Sequence, residues 1–228
     1  MLFRSLRRNR FPAFPPPEHA GPDGFLAVGG DLSPARLIEA YRNGIFPWYE
    51  PGEEILWWCP DPRLILDPSR VNISRSLRAT IRKATYEVRF DTSFRQVIAS
   101  CGKIKRVHED GTWISPVIMN AYAALHDLGV AHSVESWWNG ELVGGLYGVS
   151  LGTTFFGESM FASKTDASKV ALVALAQACA RRGITLIDCQ VSSEHLISMG
   201  AFTIPRKVFL EGLREGLKSP LKPGVWTE

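Results

Sequence analysis

Apolar residues along this chain recur with two periods, and the periods predict its elements. Short Val/Ile/Phe/Leu-rich runs near 64–66, 85–90, 131–138, 141–150, 153–161 and 184–191 read as strands. Leu37, Ile38 and Tyr41 instead share a helical face. That helix, over 34–43, opens with Ser33-Pro34, a capping serine and a proline at the first helical position, and ends at Gly44. Ser115-Pro116 and Gly129 bracket a second helix over 116–128 in the same way. Further helices are predicted over 74–83, 167–182 and 205–216, the 167–182 helix closing at Gly183. A hairpin of strands 141–150 and 153–161 feeds the 167–182 helix, which crosses back to strand 184–191. That order implies a mixed sheet in an α/β (α+β) fold. Strand Ile184–Val191 turns polar at its C-terminal end, where open α/β sheets place their ligands.

The first 62 residues follow another pattern. Phe11-Pro-Ala-Phe-Pro-Pro-Pro is a stiff, extended entry. Trp48, Trp57 and Trp58 fall within eleven residues punctuated by proline, which predicts an aromatic loop rather than a strand or helix. Pro60 and Pro62 mark a boundary, giving a small N-terminal domain over 1–62 with Trp-rich loops and a larger mixed-sheet domain over 63–228.

Composition narrows the class. Of 228 residues, 45% are hydrophobic and 21% charged, enough apolar surface to exclude disorder as the dominant state. Cys59, Cys101, Cys179 and Cys189 form no C-x-x-C pair and read as buried thiols of a reducing compartment. No apolar stretch follows the basic N-terminus, and the longest uncharged run, Leu142–Gly157, is too short to span a bilayer. A soluble, cytoplasmic protein is expected. The net charge of +3 hides an asymmetry, because residues 70–106 hold ten Lys/Arg against two acids. A basic segment on a near-neutral protein suggests a docked polyanion.

Gly148-Val-Ser150-Leu-Gly152 fits G-x-S-x-G, but a nucleophile elbow needs strand-turn-helix, and a second strand follows here. A serine at a hairpin turn is the better account. No G-x-G-x-x-G, Walker A or H-E-x-x-H occurs, so neither cofactor nor metal is expected. Arg75, Arg78 and Arg82 lie at i, i+3 and i+7 with Lys83 beside them. No acid stands between Asp67 and Glu87, so this stripe suits a nucleic-acid phosphate backbone better than an ordinary solvated face. Trp48 and Trp113 lie in F-P-W-Y and G-T-W-I loops, where an exposed indole can stack on a base; a place in the core is the alternative. Glu158 and Asp188 each interrupt an apolar run. A carboxylate there is costly to bury unless it meets a cation or several donors, so both are candidate site residues. Gln190, two positions beyond Asp188, would share its face of the strand.

Motifs rich in Trp and Gly run through the chain: Gly29-Gly-Asp-Leu-Ser-Pro-Ala-Arg-Leu, Gly44-Ile-Phe-Pro-Trp, Ile55-Leu-Trp-Trp-Cys-Pro-Asp-Pro-Arg and Gly111-Thr-Trp-Ile. They continue with Glu141-Leu-Val-Gly-Gly-Leu-Tyr-Gly, Phe156-Gly-Glu-Ser-Met-Phe, Ala167-Ser-Lys and Leu186-Ile-Asp-Cys-Gln. With these residues the sequence resembles the bacterial leucyl/phenylalanyl-tRNA–protein transferases along nearly its whole length. The resemblance implies a larger domain similar to the GCN5-related N-acetyltransferase fold. It implies transfer of Leu, Phe or less often Met from aminoacyl-tRNA to proteins with N-terminal Arg or Lys, marking them for degradation, with no role for DNA or a membrane. It implies Gln190 at the attacking amine, Asp188 polarising or orienting Gln190, and Glu158 orienting one of the amines. Trp48 and Trp113 would flank the terminal adenosine, while Leu146, Phe155 and Leu175 are candidates for an apolar side-chain pocket. Two rival readings stand beside it. An acetyl-CoA-dependent N-acetyltransferase would need a pyrophosphate cradle that Ser163-Lys-Thr-Asp-Ala-Ser lacks. A non-catalytic tRNA-binding protein would have no use for Glu158 and Asp188.

Overall fold

In the computed structural model, which describes residues 5–6, 14–104, 112–219 and 224–226, the chain builds a small sheet first. Its elements are β1 (Ser5–Leu6), β2 (Phe25–Gly29), β3 (Phe46–Pro47) and β4 (Leu56–Trp58), with α1 (Pro34–Arg42) between β2 and β3. The order is β1-β2-β4-β3. The aromatic loop expected around Trp57-Trp58 is therefore a strand: Trp57 stands opposite both Ala27 of β2 and Pro47 of β3. Bulky aromatics suit a pleated surface, and Pro47 is tolerated because β3 is an edge. Alternation sends Trp57 into the core, where its indole N–H donates to the Gly29 carbonyl at 2.8 Å. Along α1, Leu37, Ala40 and Tyr41 face inward.

The chain then enters a seven-stranded sheet through β5 (Arg63–Leu66). There follow α2 (Arg75–Arg82), β6 (Glu87–Phe90), α3 (Phe94–Lys103), α4 (Pro116–Asp127), β7 (Ala131–Trp138), β8 (Glu141–Leu151) and β9 (Thr154–Ala162). The chain continues through α5 (Ala167–Arg182), β10 (Leu186–Gln190), α6 (Glu194–Ser198), β11 (Phe202–Ile204) and α7 (Arg206–Gly216). The strand order is β11-β5-β10-β9-β8-β7-β6. The sheet is mixed as the order of elements implied: α5 returns β10 parallel to β9, while its other neighbours run antiparallel. The α/β class is thus observed directly. In the larger unit α3, α6 and β11 went unpredicted, as did β1, β2 and β3 of the small sheet. Ser150 stands in β8 just before the Gly152-Thr153 turn into β9, so G-x-S-x-G marks a hairpin.

Each face of the large sheet is covered. One carries α3, α4, α7 and the small sheet, in a single core that joins Leu37, Tyr41 and Trp57 to Phe94, Ile118, Tyr122 and Phe156. The other carries α2 and α5 over Leu64, Leu66, Val134, Leu146 and Phe155. Gly144 lets α5 approach, since a Cβ there would lie 2.5 Å from the Ala167 Cβ. Cys59, Cys101 and Cys179 are buried free thiols and Cys189 is half-buried. Among the described residues no helix is long and apolar enough to cross a membrane.

Candidate active site at the end of β10

Strand β10 lies between β9 and β5 and is covered on both faces, so a charge on it must find a partner inside the protein. Asp188 finds Arg63, the first residue of β5. The guanidinium donates Nε to Oδ1 at 2.8 Å and Nη2 to Oδ2 at 2.6 Å, with both side chains fully buried. Burial alone would lower the Arg63 pKa, but the charge and hydrogen bonds of Asp188 reverse that and raise it. The guanidinium also lies over the rings of Phe46 and Phe209, 4.9 and 4.6 Å from their centroids, which ties β3 and α7 to the same point.

The pairing of β10 with β5 slips between Asp188 and Gln190. This bulge puts Gln190 at φ +64°, where its backbone N–H donates to Asp188 Oδ1 at 2.9 Å. A left-handed conformation at a residue other than glycine costs about 1–3 kcal/mol and persists only when its surroundings impose it. The simple two-residue alternation expected for Asp188 and Gln190 is therefore broken. Asp188 holds the Gln190 backbone, while the Gln190 side chain turns to β9 and donates Nε2 to Glu158 Oε1 at 2.6 Å.

Among the described residues Glu158 meets no direct cationic partner. Its other oxygen accepts from the Tyr122 hydroxyl at 2.8 Å, and the Tyr41 hydroxyl donates in turn to that of Tyr122. Burial pushes the Glu158 carboxyl up to about 7, against the lowering effect of Tyr41, Tyr122 and Gln190, while the nearby Asp188 charge adds to the rise. Burial, reinforced by Glu158, also holds both phenols well above their ordinary range, so they serve as neutral donors.

Glu158, Gln190 and Val191 stand in the wall between two cavities. The larger, about 390 Å³, has an apolar lining that includes Leu146, Phe155, Leu172 and Leu175. The smaller, about 80 Å³, is closed by Phe46, Pro47, Trp48 and Trp113. The structure thus gathers the three polar candidates, the three apolar ones and both tryptophans around one centre. Trp48 is 38% exposed, as a stacking indole needs to be. Trp113 is not: at 7% exposure it belongs to the core around α4 and offers only a buried edge to the smaller cavity. Arg75, Arg78, Arg82 and Lys83 stand apart on the exposed side of α2, where only Leu77 is buried. Among the described residues none of the four has an ion-pair partner, whereas Arg70, Arg89 and Arg95 of the same basic segment pair with Asp67, Glu87 and Asp127. Lys105 and Arg106, also in that segment, lie outside the described residues.

Sequence reasoning missed Arg63, Tyr41 and Tyr122. Arg63 had a signal, a lone cation opening the run R-L-I-L that matched a lone acid in L-I-D-C. The tyrosines had none, being indistinguishable from core aromatics until the helices were placed.

Two family models match the chain. One, described as leucyl/phenylalanyl-tRNA protein transferase, covers residues 65–214, and the other, its N-terminal domain, covers residues 30–61. A leucyl/phenylalanyl-tRNA–protein transferase from Myxococcus xanthus is 55% identical over 94% of this chain and 92% of its own length. A relative of the same name from Aromatoleum aromaticum is 57% identical over 95% and 92%. Among solved structures, a GCN5-related N-acetyltransferase from Kribbella flavida aligns with a TM-score of 0.42 at 10% identity, over 73% of this chain and 59% of that one.

Replacing Arg63 with Met should expose what the ion pair does. Asp188 would remain as a buried carboxylate with no cation beside it. Urea unfolding should show a loss of about 3–5 kcal/mol, the scale on which removing one partner of a buried pair destabilises. A loss below about 1 kcal/mol, the worth of an exposed pair, would contradict the assignment.

Proposed function

Because the chain belongs to the leucyl/phenylalanyl-tRNA–protein transferase family, we propose that it transfers Leu, Phe and less often Met from aminoacyl-tRNA to the N-terminal Arg or Lys of acceptor proteins. It is a transferase that works with aminoacyl-tRNA and protein substrates. The product carries a degradation signal, and the reaction belongs to the cytoplasm. Residues 1–62 form the small domain and residues 63–228 the catalytic one.

The observation that carries this reading is the Gln190–Glu158 contact in the shared wall of the two cavities. An aminoacyl ester is already activated, so catalysis consists largely of aligning an amine with its carbonyl and handling one proton. The donor side chain enters the larger cavity against Leu146, Phe155 and Leu175, and the terminal adenosine lies by Trp48 and Trp113. With Nε2 committed to Glu158, the Gln190 carbonyl oxygen is left to accept a hydrogen bond from the attacking amine. The new C–N bond forms as the ester C–O bond breaks, and the proton lost by the amine ends on the ribose oxygen. Glu158, near 7, is the group able to hold that proton in transit. Asp188 is occupied by Arg63 and the Gln190 N–H, so it positions rather than carries protons. Arg75, Arg78, Arg82 and Lys83 bind tRNA phosphates.

A filter assay with radiolabelled Leu-tRNA and an Arg-initiated peptide should show transfer, and acetyl-CoA should not serve as donor. Labelled acetyl on the peptide without labelled leucine would overturn the reading. In the same assay, single-turnover transfer at saturating donor should decline as pH falls through about 7, where Glu158 takes up a proton. Glu158→Gln should slow transfer by about 10²-fold or more and abolish that limb, leaving only the acceptor amine's own titration near about 8. An unaltered pH profile in this variant would remove Glu158 from the chemistry. Changing Arg75, Arg78 and Arg82 together to Ala should weaken tRNA binding and flatten its dependence on log salt by about 0.9 for each phosphate no longer neutralised. Unchanged binding at every salt concentration would reduce the stripe to a solvated face.

A further inference from the structure

The wall of the larger cavity has a support of its own. Phe155 is fully buried, and one side of its ring rests on Gly148, where an added Cβ would lie 2.6–2.7 Å from two ring carbons. Against it stands Trp226, 1% exposed, with ring centroids 5.7 Å apart at 47°. Trp226 is in turn held from several directions. Its indole stacks on His132 at 4.4 Å and 21°, and the Arg182 guanidinium lies 4.6 Å from its ring centroid. Phe90 closes a third side at 6.4 Å. The Trp226 backbone N–H donates to Asp91 Oδ2 at 2.7 Å, and Asp91 also accepts from the Ser133 N–H and bonds to His132 Nδ1 at 2.9 Å. Nearby, the Gly224 N–H donates to the Gly129 carbonyl at 3.2 Å.

We infer that Trp226 is a positioning residue for donor selectivity, which sets the depth of the larger cavity by pinning Phe155 against Gly148. The inference rests on reading that cavity as the pocket for the donor side chain. Trp226 touches no substrate. It removes the space into which the Phe155 ring could retreat, and close-packed interiors transmit such a loss of support to the next shell of side chains. Gly148 thereby gains a role that G-x-S-x-G did not suggest: its bare backbone is the other jaw of the clamp.

The test is competition between Leu-tRNA and Phe-tRNA, because the ratio of their kcat/KM values is independent of how much enzyme is folded. Trp226→Ala should let Phe155 retreat and raise the Phe:Leu ratio by about tenfold, the scale on which pocket shape discriminates. Trp226→Phe, which keeps a ring behind Phe155, should stay within about twofold of the parent. Added indole should return the Trp226→Ala ratio toward the parent value by refilling the cavity. Leu146→Phe, which narrows the pocket directly, is the control and should penalise Phe-tRNA. If Leu146→Phe shifts the ratio while Trp226→Ala leaves it unchanged or lowers it, the pocket reading stands and Trp226 is merely structural. If neither variant shifts it, the cavity does not hold the donor side chain and the inference falls with that reading.

Discussion

A cation and an anion without access to water organise this molecule. Arg63 and Asp188 lie on adjacent strands covered on both faces, and each is the other's counter-charge there. Such a pair is weak grounds for stability, since burying two charges offsets much of their attraction. What it does supply is geometry. The two parallel hydrogen bonds fix β5 against β10, and the rings of Phe46 and Phe209 around the guanidinium bring the small sheet and α7 to the same place. The spare capacity of Asp188 Oδ1 then secures the left-handed turn at Gln190.

The second carboxylate is treated differently, and the contrast sorts their roles. Asp188 faces a full positive charge, whereas Glu158 faces two phenols and an amide. Neutral donors stabilise a carboxylate less than a guanidinium does, so burial prevails at Glu158 and moves its titration into the working range of an enzyme. Neighbouring carboxylates thus divide between holding the backbone and remaining available to exchange a proton.

Much of this was legible in the sequence because it depends on local pattern. The hairpin, the crossover helix and the mixed sheet follow from periodicity and from Ser-Pro and Gly punctuation, and Glu158 and Asp188 stood out as charges amid apolar runs. Partnership is what the pattern withheld. The bulge that separates Asp188 from Gln190 arises from pairing with β5, a strand far away in the chain, so no local rule foretold it. The Trp-rich segment misled for a related reason: Pro47, which suggests a loop, is accommodated on the edge strand β3, although Trp57 does lie in the core, as clustered tryptophans commonly do. For Trp113 the Gly-bounded loop left stacking and core both open, and only its packing in the core around α4 decides between them.

The distance in sequence between these partners bears on how the chain acquires activity. Arg63 and Asp188 are 125 positions apart, and Gln190 is 32 positions from Glu158. Closing so long a loop costs entropy before any contact repays it, so the ion pair belongs among the later events of folding. Until it forms, Asp188 is an ordinary hydrated acid, the turn at Gln190 has no brace, and the amide is not aimed. The site therefore assembles together with global order, and a collapsed intermediate with good secondary structure would still lack it.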